Sequence, residues 1–585
     1  MSNESNQIKI GAYLLERLVQ LGSQSVQGVP GDFNMGFLDL IEEHPKLKWI
    51  GNSNELNAAY AADGYARVKR TIAAVVTTFG VGELSALNGI AGSFSERLPV
   101  IHVVGVPSTG AQGSHSLLHH TLGDGRFSAF ENMSKEISAD SAILKSKQGA
   151  GESIDRILIT AMKSARPVYL ALPTDLVHAT IPAEALKTPL DYSIDDNDAK
   201  AEEYVLQVAQ KHIADAKSAV ILVDACAARH GCIQETHELI EKSGLPVFAT
   251  PMGKTIVDED HAQYGGIYVG SLTSEKVKNV VEQADVLITV GSLKSDFNSG
   301  NFSYRTPKSS TIELHSDYTT IGYSHYPGIG MKKLLPKLSA LLETNGDARR
   351  EETKKIVPKF ENALPHDSSS TITQEWLWPR MGQFFQEQDQ VIVETGTSSF
   401  GMLEAKLPAK TRWVSQVLWG SIGWSVGATL GVALAARENA LGRTHLFVGD
   451  GSLQLTVQEI GTMIKHGLCP YLFILNNDGY EIERQIHGPQ RSYNDIPPYD
   501  HSLLLDFFGN EKFHSDAKSH ENDPHQSKKQ YYRVQTKQQL DELLKDQSFA
   551  NPDRIRLIEV VMQRGDAPEA LKRQAEATGQ ANKYE

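Results

Sequence analysis

Apolar positions along the chain fall into two periods. Leu14, Leu15, Leu18 and Val19 recur at helical spacing, and Gly22 supplies the stop. Short β-rich runs follow at residues 25–29, 72–78, 100–106 and 168–172, with helical segments at 55–68 and 82–94 between them. Strands that alternate with helices predict a parallel sheet covered on both faces. The polar, acidic stretch 186–203 reads as a linker. A second unit has strands at 219–223, 246–249, 286–290 and 311–314, and loses its pattern in the charged stretch 344–370, which reads as a second linker. A third unit repeats the alternation with strands at 391–394, 444–449, 471–475 and 555–561. Units one and three share a strand–loop–helix rhythm without a sequence repeat. Residues 510–530, rich in Lys, His, Ser, Asp and Asn, read as a solvated insertion, and 567–581 as a closing helix. The expected fold class is α/β in three domains, each a mostly parallel sheet flanked by helices, over 1–187, 200–345 and 370–585.

Composition narrows the function. At 585 residues, 40% hydrophobic and 22% charged, the chain has material for several cores. Its formal net charge of −14 argues against nucleic acid as a partner, although an acidic substrate is compatible with a locally positive site. Cys226, Cys232 and Cys469 match no zinc or disulfide spacing, which fits a reducing compartment. The N-terminal residues lack a basic region and an apolar core, and no apolar run approaches the roughly 20 residues that span a bilayer. No membrane association is expected, and the cytoplasm is the expected location.

The chemistry concentrates at Phe447-Val-Gly-Asp-Gly-Ser452. There an apolar strand runs into a Gly-Asp-Gly turn and then into an amphipathic helix carrying Leu455, Val457, Ile460, Met463 and Ile464. Such a turn brings backbone N–H groups to an anion, and an aspartate at a strand end holds a hard cation. A second strand ends in Asn476-Asn477-Asp478-Gly479, with 24 residues separating the two motifs. If both strand ends lie at one edge of the sheet, Asp450, the Asn477 side-chain oxygen and the Gly479 carbonyl surround one cation with the oxygen ligands magnesium accepts. Either motif alone is a common turn. Two other patterns are decoys: Gly423-Trp-Ser-Val-Gly427 mimics a nucleophile elbow but lacks triad partners, and Gly80-Val-Gly82 lacks the third glycine of a dinucleotide fingerprint.

The paired motifs resemble the thiamine-diphosphate signature, and the rest of the chain resembles, over essentially its whole length, the fungal-type 2-oxo acid decarboxylases of the pyruvate decarboxylase family. Glu55 lies in Asn52-Ser-Asn-Glu-Leu-Asn-Ala-Ala-Tyr-Ala-Ala-Asp-Gly-Tyr-Ala-Arg67, which is similar to the family segment whose glutamate protonates the cofactor's aminopyrimidine. Gly28-Val-Pro-Gly-Asp-Phe-Asn34 supplies Asp32, Leu117-Leu-His-His-Thr-Leu-Gly123 supplies His119 and His120, and Glu481-Ile-Glu-Arg-Gln-Ile-His-Gly488 supplies Glu483. The resemblance implies thiamine diphosphate and Mg2+ as cofactors, with the pyrimidine bound by the first domain, the diphosphate and metal by the third, and a regulatory-type domain between. It implies cofactor contacts from Thr395, Thr397, Gly451 and Ser452, an aminopyrimidine bond to the Gly420 carbonyl, and Ile422 as the bulky residue that bends the cofactor.

The reaction so implied is non-oxidative decarboxylation of pyruvate to acetaldehyde through an ylide and an enamine, as in alcoholic fermentation. Glu55, in a buried environment that raises its pKa, would share a proton with the pyrimidine, and Asp32, His119, His120 and Glu483 would handle the product's proton. Phe297, Trp419 and Ile482 match bulky pocket positions and favour pyruvate over phenylpyruvate or indolepyruvate. The competing readings are a decarboxylase of those bulkier acids, a carboligase and a catalytically silent relative. The His-His element and the intact residue set count against the last two. Cys226 stands where fungal relatives carry a regulatory cysteine, but Arg97 stands where the linked histidine would be, which puts that activation route in doubt. The family also implies a homodimer or a dimer-of-dimers tetramer, with Glu55 and Asp450 meeting across subunits.

Overall fold

The computed structural model describes residues 7–366, 368–509 and 530–583. The insertion expected at 510–530 therefore lies almost wholly outside the described residues. Three large sheets organise the rest, each mostly parallel with helices on its faces.

The first sheet has six parallel strands in the spatial order Lys48–Trp49, Ser25–Gly28, Ala73–Thr78, Val100–Val106, Val168–Pro173 and Asp140–Ile143. The last sheet has six parallel strands in the order Arg412–Val414, Gln390–Val393, Thr444–Gly449, Tyr471–Asn476, Arg556–Val561 and Tyr531–Val534. Ranked by chain position both orders are 2-1-3-4-6-5, so the shared rhythm of units one and three is a shared topology. The central strands are buried on both faces, which is why they read as continuous apolar runs rather than alternating ones. The middle sheet, in the order Tyr264–Ile267, Val247–Ala249, Ala219–Val223, Val286–Val290, Thr311–Leu314, Tyr318–Ile321 and Ser324–Pro327, is parallel until its last two strands, which turn back antiparallel.

Helix Glu55–Lys69 follows the second strand of the first unit, and helix Trp424–Glu438 the second strand of the third. Asn54 caps the former by accepting from the Asn57 N–H at 2.8 Å, and Glu55 adds negative charge at the positive helix end. The two helices pack against each other, and small residues make this possible. A Cβ at Gly64 would stand 2.2 Å from the Ala428 carbonyl, and one at Gly431 would stand 1.8 Å from the Ala61 carbonyl. A buried network ties the same seam: Trp424 Nε1 donates to Asp63 at 3.0 Å, Ser93 Oγ to Asp63 at 2.9 Å, and Arg67 Nε to Asp63 at 2.7 Å.

Three expectations are corrected. The first linker ends early, because helix Ala199–Ala214 begins inside 186–203, capped by Asp198. The second contains helix Gly346–Ile356. Its polarity hid it: the exposed face is laced by Lys354–Glu351 and Lys355–Glu352 pairs, while Gly346 and Thr353 are buried, Thr353 Oγ1 donating to the Gly244 carbonyl at 2.7 Å. The amphipathic helix after Gly449 is two, Asp450–Thr456 and Glu459–Lys465, broken around Val457 and Gln458. Among the described residues, no helix is long and apolar enough to cross a membrane.

Candidate active site

In both six-stranded sheets the chain order reverses between the first and third strands. In open α/β sheets, the crevice beyond the strands' carboxyl ends at such a reversal is where ligands bind. Most of the predicted residues follow these strand ends, on the connecting loops or in the helices that begin there, while Phe297 and Cys226 belong to the middle unit.

In the third unit, Thr444–Gly449 pairs with Tyr471–Asn476 in a register that sets Gly449 beside Leu475. Asp450 and Asn477 therefore emerge at the same sheet edge. Asp450 is buried, its Oδ2 accepting from the Gly479 N–H at 3.1 Å and its Oδ1 from the Gly451 N–H at 2.9 Å. Burial pushes its carboxyl up to about 6. The Asn477 side-chain oxygen points at two more oxygens, Asp450 Oδ1 at 3.2 Å and the Gly479 carbonyl at 3.0 Å. Three acceptors this close are reconciled by a reversed amide that donates to both, or by a cation among them. A magnesium ion with bonds of about 2.1 Å sets adjacent oxygens about 3 Å apart, so the donor set fits one.

Arg484, absent from the sequence reasoning, holds this loop. Its guanidinium is buried and donates to the carbonyls of Asn477, at 3.3 Å, and Asp478, and pairs with Glu481 at 3.4 Å. Gly479 has φ +121, and a Cβ there would stand 2.3 Å from the Asn494 carbonyl, so the turn requires glycine.

Beside the oxygen triad opens a cleft of about 270 Å³ lined by Thr395, Thr397, Ile422, Gly451, Ser452, Asn477, Gly479, Ile482 and Glu483, among others. Bare backbone borders it: a Cβ at Gly449 would meet nothing within 4 Å. This is a cradle that a diphosphate fits. Glu394, fully buried, ties together the two loops that carry Thr395, Thr397, Gly420 and Ile422. It accepts from the N–H groups of Thr395 at 2.9 Å and Gly423 at 3.1 Å, and from Ser425 Oγ at 2.7 Å. Burial pushes its pKa up to about 7, against these donors. Its position at the head of the Glu-Thr-Gly-Thr motif was the available signal.

In the first unit, Asp32 follows the first strand, Glu55 the second, and His119–His120 lie beyond the fourth. His119 Nε2 lies 2.6 Å from Asp32 Oδ2, and ligating atoms of Asp32, His119 and His120 all lie within 4.8 Å of one another. The His119 ring stacks on Phe33 at 5.0 Å, and the two imidazoles meet edge to face at 4.7 Å. Glu55 opens its helix half-buried, and desolvation raises its carboxyl above the usual glutamate value. The glycines of the rejected dinucleotide motif belong here. A Cβ at Gly80 would stand 2.3 Å from the His120 carbonyl, and one at Gly82 would stand 3.0 Å from Glu55 Oε1.

The structure does not bring everything together. Asp32, Glu55, His119 and His120 do not line the cleft that Asn477, Gly479 and Glu483 border. One chain carries two separate clusters of predicted residues at two reversal points. Phe297 and Ile482 pack in one small apolar cluster, with Phe297 edge-on to Phe400 at 5.8 Å. Trp419 is not part of that cluster, and its Nε1 donates to Asn88 Oδ1 at 2.9 Å. Cys226 is fully buried, and desolvation pushes its thiol up to about 12, the opposite of a reactive thiolate.

Two α/β units of one topology, an oxygen triad and a diphosphate-sized cradle define a thiamine diphosphate enzyme. The chain matches the thiamine pyrophosphate enzyme families along its length: the N-terminal TPP binding domain over residues 8–127, the central domain over 206–335 and the C-terminal TPP binding domain over 389–560. It is 49% identical over 579 residues to pyruvate decarboxylase isozyme 1 of Saccharomyces cerevisiae, covering 99% of each chain. It is 48% identical over 578 residues to the pyruvate decarboxylase of Kluyveromyces lactis, again covering 99% of each, and 46% over 582 to that of Aspergillus fumigatus, covering 98% of each. The chain belongs to the fungal pyruvate decarboxylase family.

Proposed function

We propose that this protein decarboxylates pyruvate to acetaldehyde and carbon dioxide, using thiamine diphosphate anchored by Mg2+. The observation that carries the reading is the pairing of two half-sites: the Asp450–Asn477–Gly479 oxygen set at one reversal point and the Asp32–His119–His120 cluster at the other. The first suits a cation and a diphosphate. The second suits proton transfer, and a carboligase has no evident use for it.

When bound, the cofactor's thiazolium supplies the electron sink that direct loss of carbon dioxide from a 2-oxo acid lacks. Asp450, Asn477 and the Gly479 carbonyl would hold the metal, and Thr395, Thr397, Gly451 and Ser452 the diphosphate. Ile422 would support the bound cofactor, and the Gly420 carbonyl would accept from the aminopyrimidine. Glu55, with its raised pKa, would hold a proton at the pyrimidine ring nitrogen. Asp32, His119, His120 and Glu483 would deliver the proton that completes the aldehyde. Neighbouring titratable groups of this kind take different protonation states, which lets one donate while another stays charged. Phe297 and Ile482 would wall the pocket and leave room for a methyl group.

Glu55 and Asp450 sit on separate half-sites of one chain, so a complete site calls for a second copy, in a homodimer or a dimer of dimers. The pyrimidine half would occupy 1–187, the central domain 200–345 and the metal half 370–585. Three free cysteines fit a cytoplasmic enzyme. The test is aldehyde release from pyruvate, followed by coupled NADH oxidation, with and without added cofactor and magnesium. A higher kcat/KM for phenylpyruvate than for pyruvate, or no aldehyde with both cofactors present, overturns it.

A further inference from the structure

Away from both half-sites, a cavity of about 430 Å³ opens where the three units meet. Its wall is strongly cationic in a chain of net charge −14. Arg67 and Arg70 come from the first unit, Arg229 and Lys254 from the middle one, and Lys410 and Arg412 from the third, against the single carboxylate of Asp258.

Two of these cations are neutralised locally. Arg67 pairs with Asp63 at 2.7 Å and with Glu96 at 3.5 Å, and Lys254 with Glu259 at 2.7 Å. Among the described residues, the other four make no ion pair. Arg229 Nε donates to the Glu96 backbone carbonyl at 3.2 Å, with the Glu96 and Asp63 carboxylates that also serve Arg67 nearby, and Arg412 donates to the Val68 carbonyl, a neutral anchor that leaves its positive charge unmatched. Among the described residues, neither the Arg70 nor the Lys410 side chain makes an ion pair or a hydrogen bond, while the Lys410 backbone N–H donates to Asp258 Oδ1 at 2.8 Å. Both have positive φ, near +60, which directs them from turn positions at the cavity's edge. Burial, reinforced by neighbouring guanidinium charge, pushes Arg229 and Arg412 down to about 10. Desolvated like charges that outnumber the acids beside them cost stability unless an anion answers them.

We propose that this cavity binds a small anion bearing more than one phosphoryl charge, clamping the three units together. Guanidinium forks match phosphate oxygens bidentately, and the volume falls in the range of small-ligand sites. No metal or cofactor of the decarboxylation site takes part.

The test uses the holoenzyme saturated with thiamine diphosphate and magnesium, so that the diphosphate cleft is filled. ADP serves as the two-phosphoryl probe, with AMP and adenosine as comparisons, titrated calorimetrically at constant ionic strength. Hydrogen exchange over 225–229 and 410–415 reports where the probe sits. The expected result is saturable ADP binding, weaker AMP binding, no adenosine binding, and added protection of those segments. R70Q combined with K410Q should weaken ADP by at least about tenfold, the loss of charge-assisted bonds. Neither side chain holds the fold, and unchanged aldehyde release will show the variant intact; R70E alone is the second variant should the pair fold poorly. Absence of ADP binding, adenosine binding as tightly as ADP, or undiminished binding by the charge-depleted protein overturns the proposal.

Discussion

Glu394 accepts a hydrogen bond from Ser425 Oγ at 2.7 Å, and the same carboxylate takes the N–H groups of Thr395 and Gly423. One buried side chain therefore sets the separation of the two loops on either side of the cofactor cleft. In E394Q an amide would turn a donor toward these donors. Half-saturation by thiamine diphosphate should rise about tenfold, from an unsatisfied buried group costing about 1–3 kcal/mol, while kcat at saturating cofactor changes less. A fluorescence titration of the apoprotein measures it, and unchanged cofactor affinity would contradict the tethering role.

Metal dependence should titrate with Asp450. Burial raises its folded-state pKa to about 6, so below that pH the carboxyl carries a proton that a cation must displace. Apparent magnesium affinity of the chelator-stripped enzyme should be full above pH 6 and fall about tenfold per pH unit below it. D450N should abolish the dependence along with tight metal binding. A half-saturation that stays flat between about pH 7 and about pH 5 would count against Asp450 as a ligand.

E55Q should lower kcat by about 100-fold or more, the scale of a lost acid–base group, with pyruvate KM changed much less. Steady-state kinetics under saturating cofactor check this, and wild-type turnover would remove Glu55 from the chemistry.

The half-sites make a stoichiometric prediction. E55Q and D450N homo-oligomers should each be inactive. A mixed dimer of the two should regain about half the wild-type activity, because one of its two sites then contains neither substitution. Co-expression with two affinity tags isolates the mixed species. No recovery would mean that both halves are used within one chain.

Cys226 is buried with its thiol held protonated, and Arg97 occupies the place of the expected histidine. C226S should therefore leave the rate curve unchanged, and the parent enzyme should be hyperbolic in pyruvate. Sigmoidal kinetics lost on this substitution would show that the cysteine is used after all.

Strand–helix alternation and the α/β fold class were legible in the chain, because each rests on local pattern, whereas Asp32, Glu55, His119, His120 and Glu483 were singled out by resemblance. Gly-Asp-Gly and Asn-Asn end apolar runs, and a parallel register of two such runs brings their ends to one edge. Helix Gly346–Ile356 was not legible, since a helix buried along one narrow stripe shows mostly its solvated charges. Nor were Glu394 and Arg484, whose roles depend on loops far apart in sequence converging on one carboxylate and one guanidinium. Tertiary structure also decided what Gly80 and Gly82 are for, and that Trp419 donates to Asn88. It alone gathered cations from three units around one cavity. Local sequence specifies which groups end each strand; only packing specifies which of those ends meet.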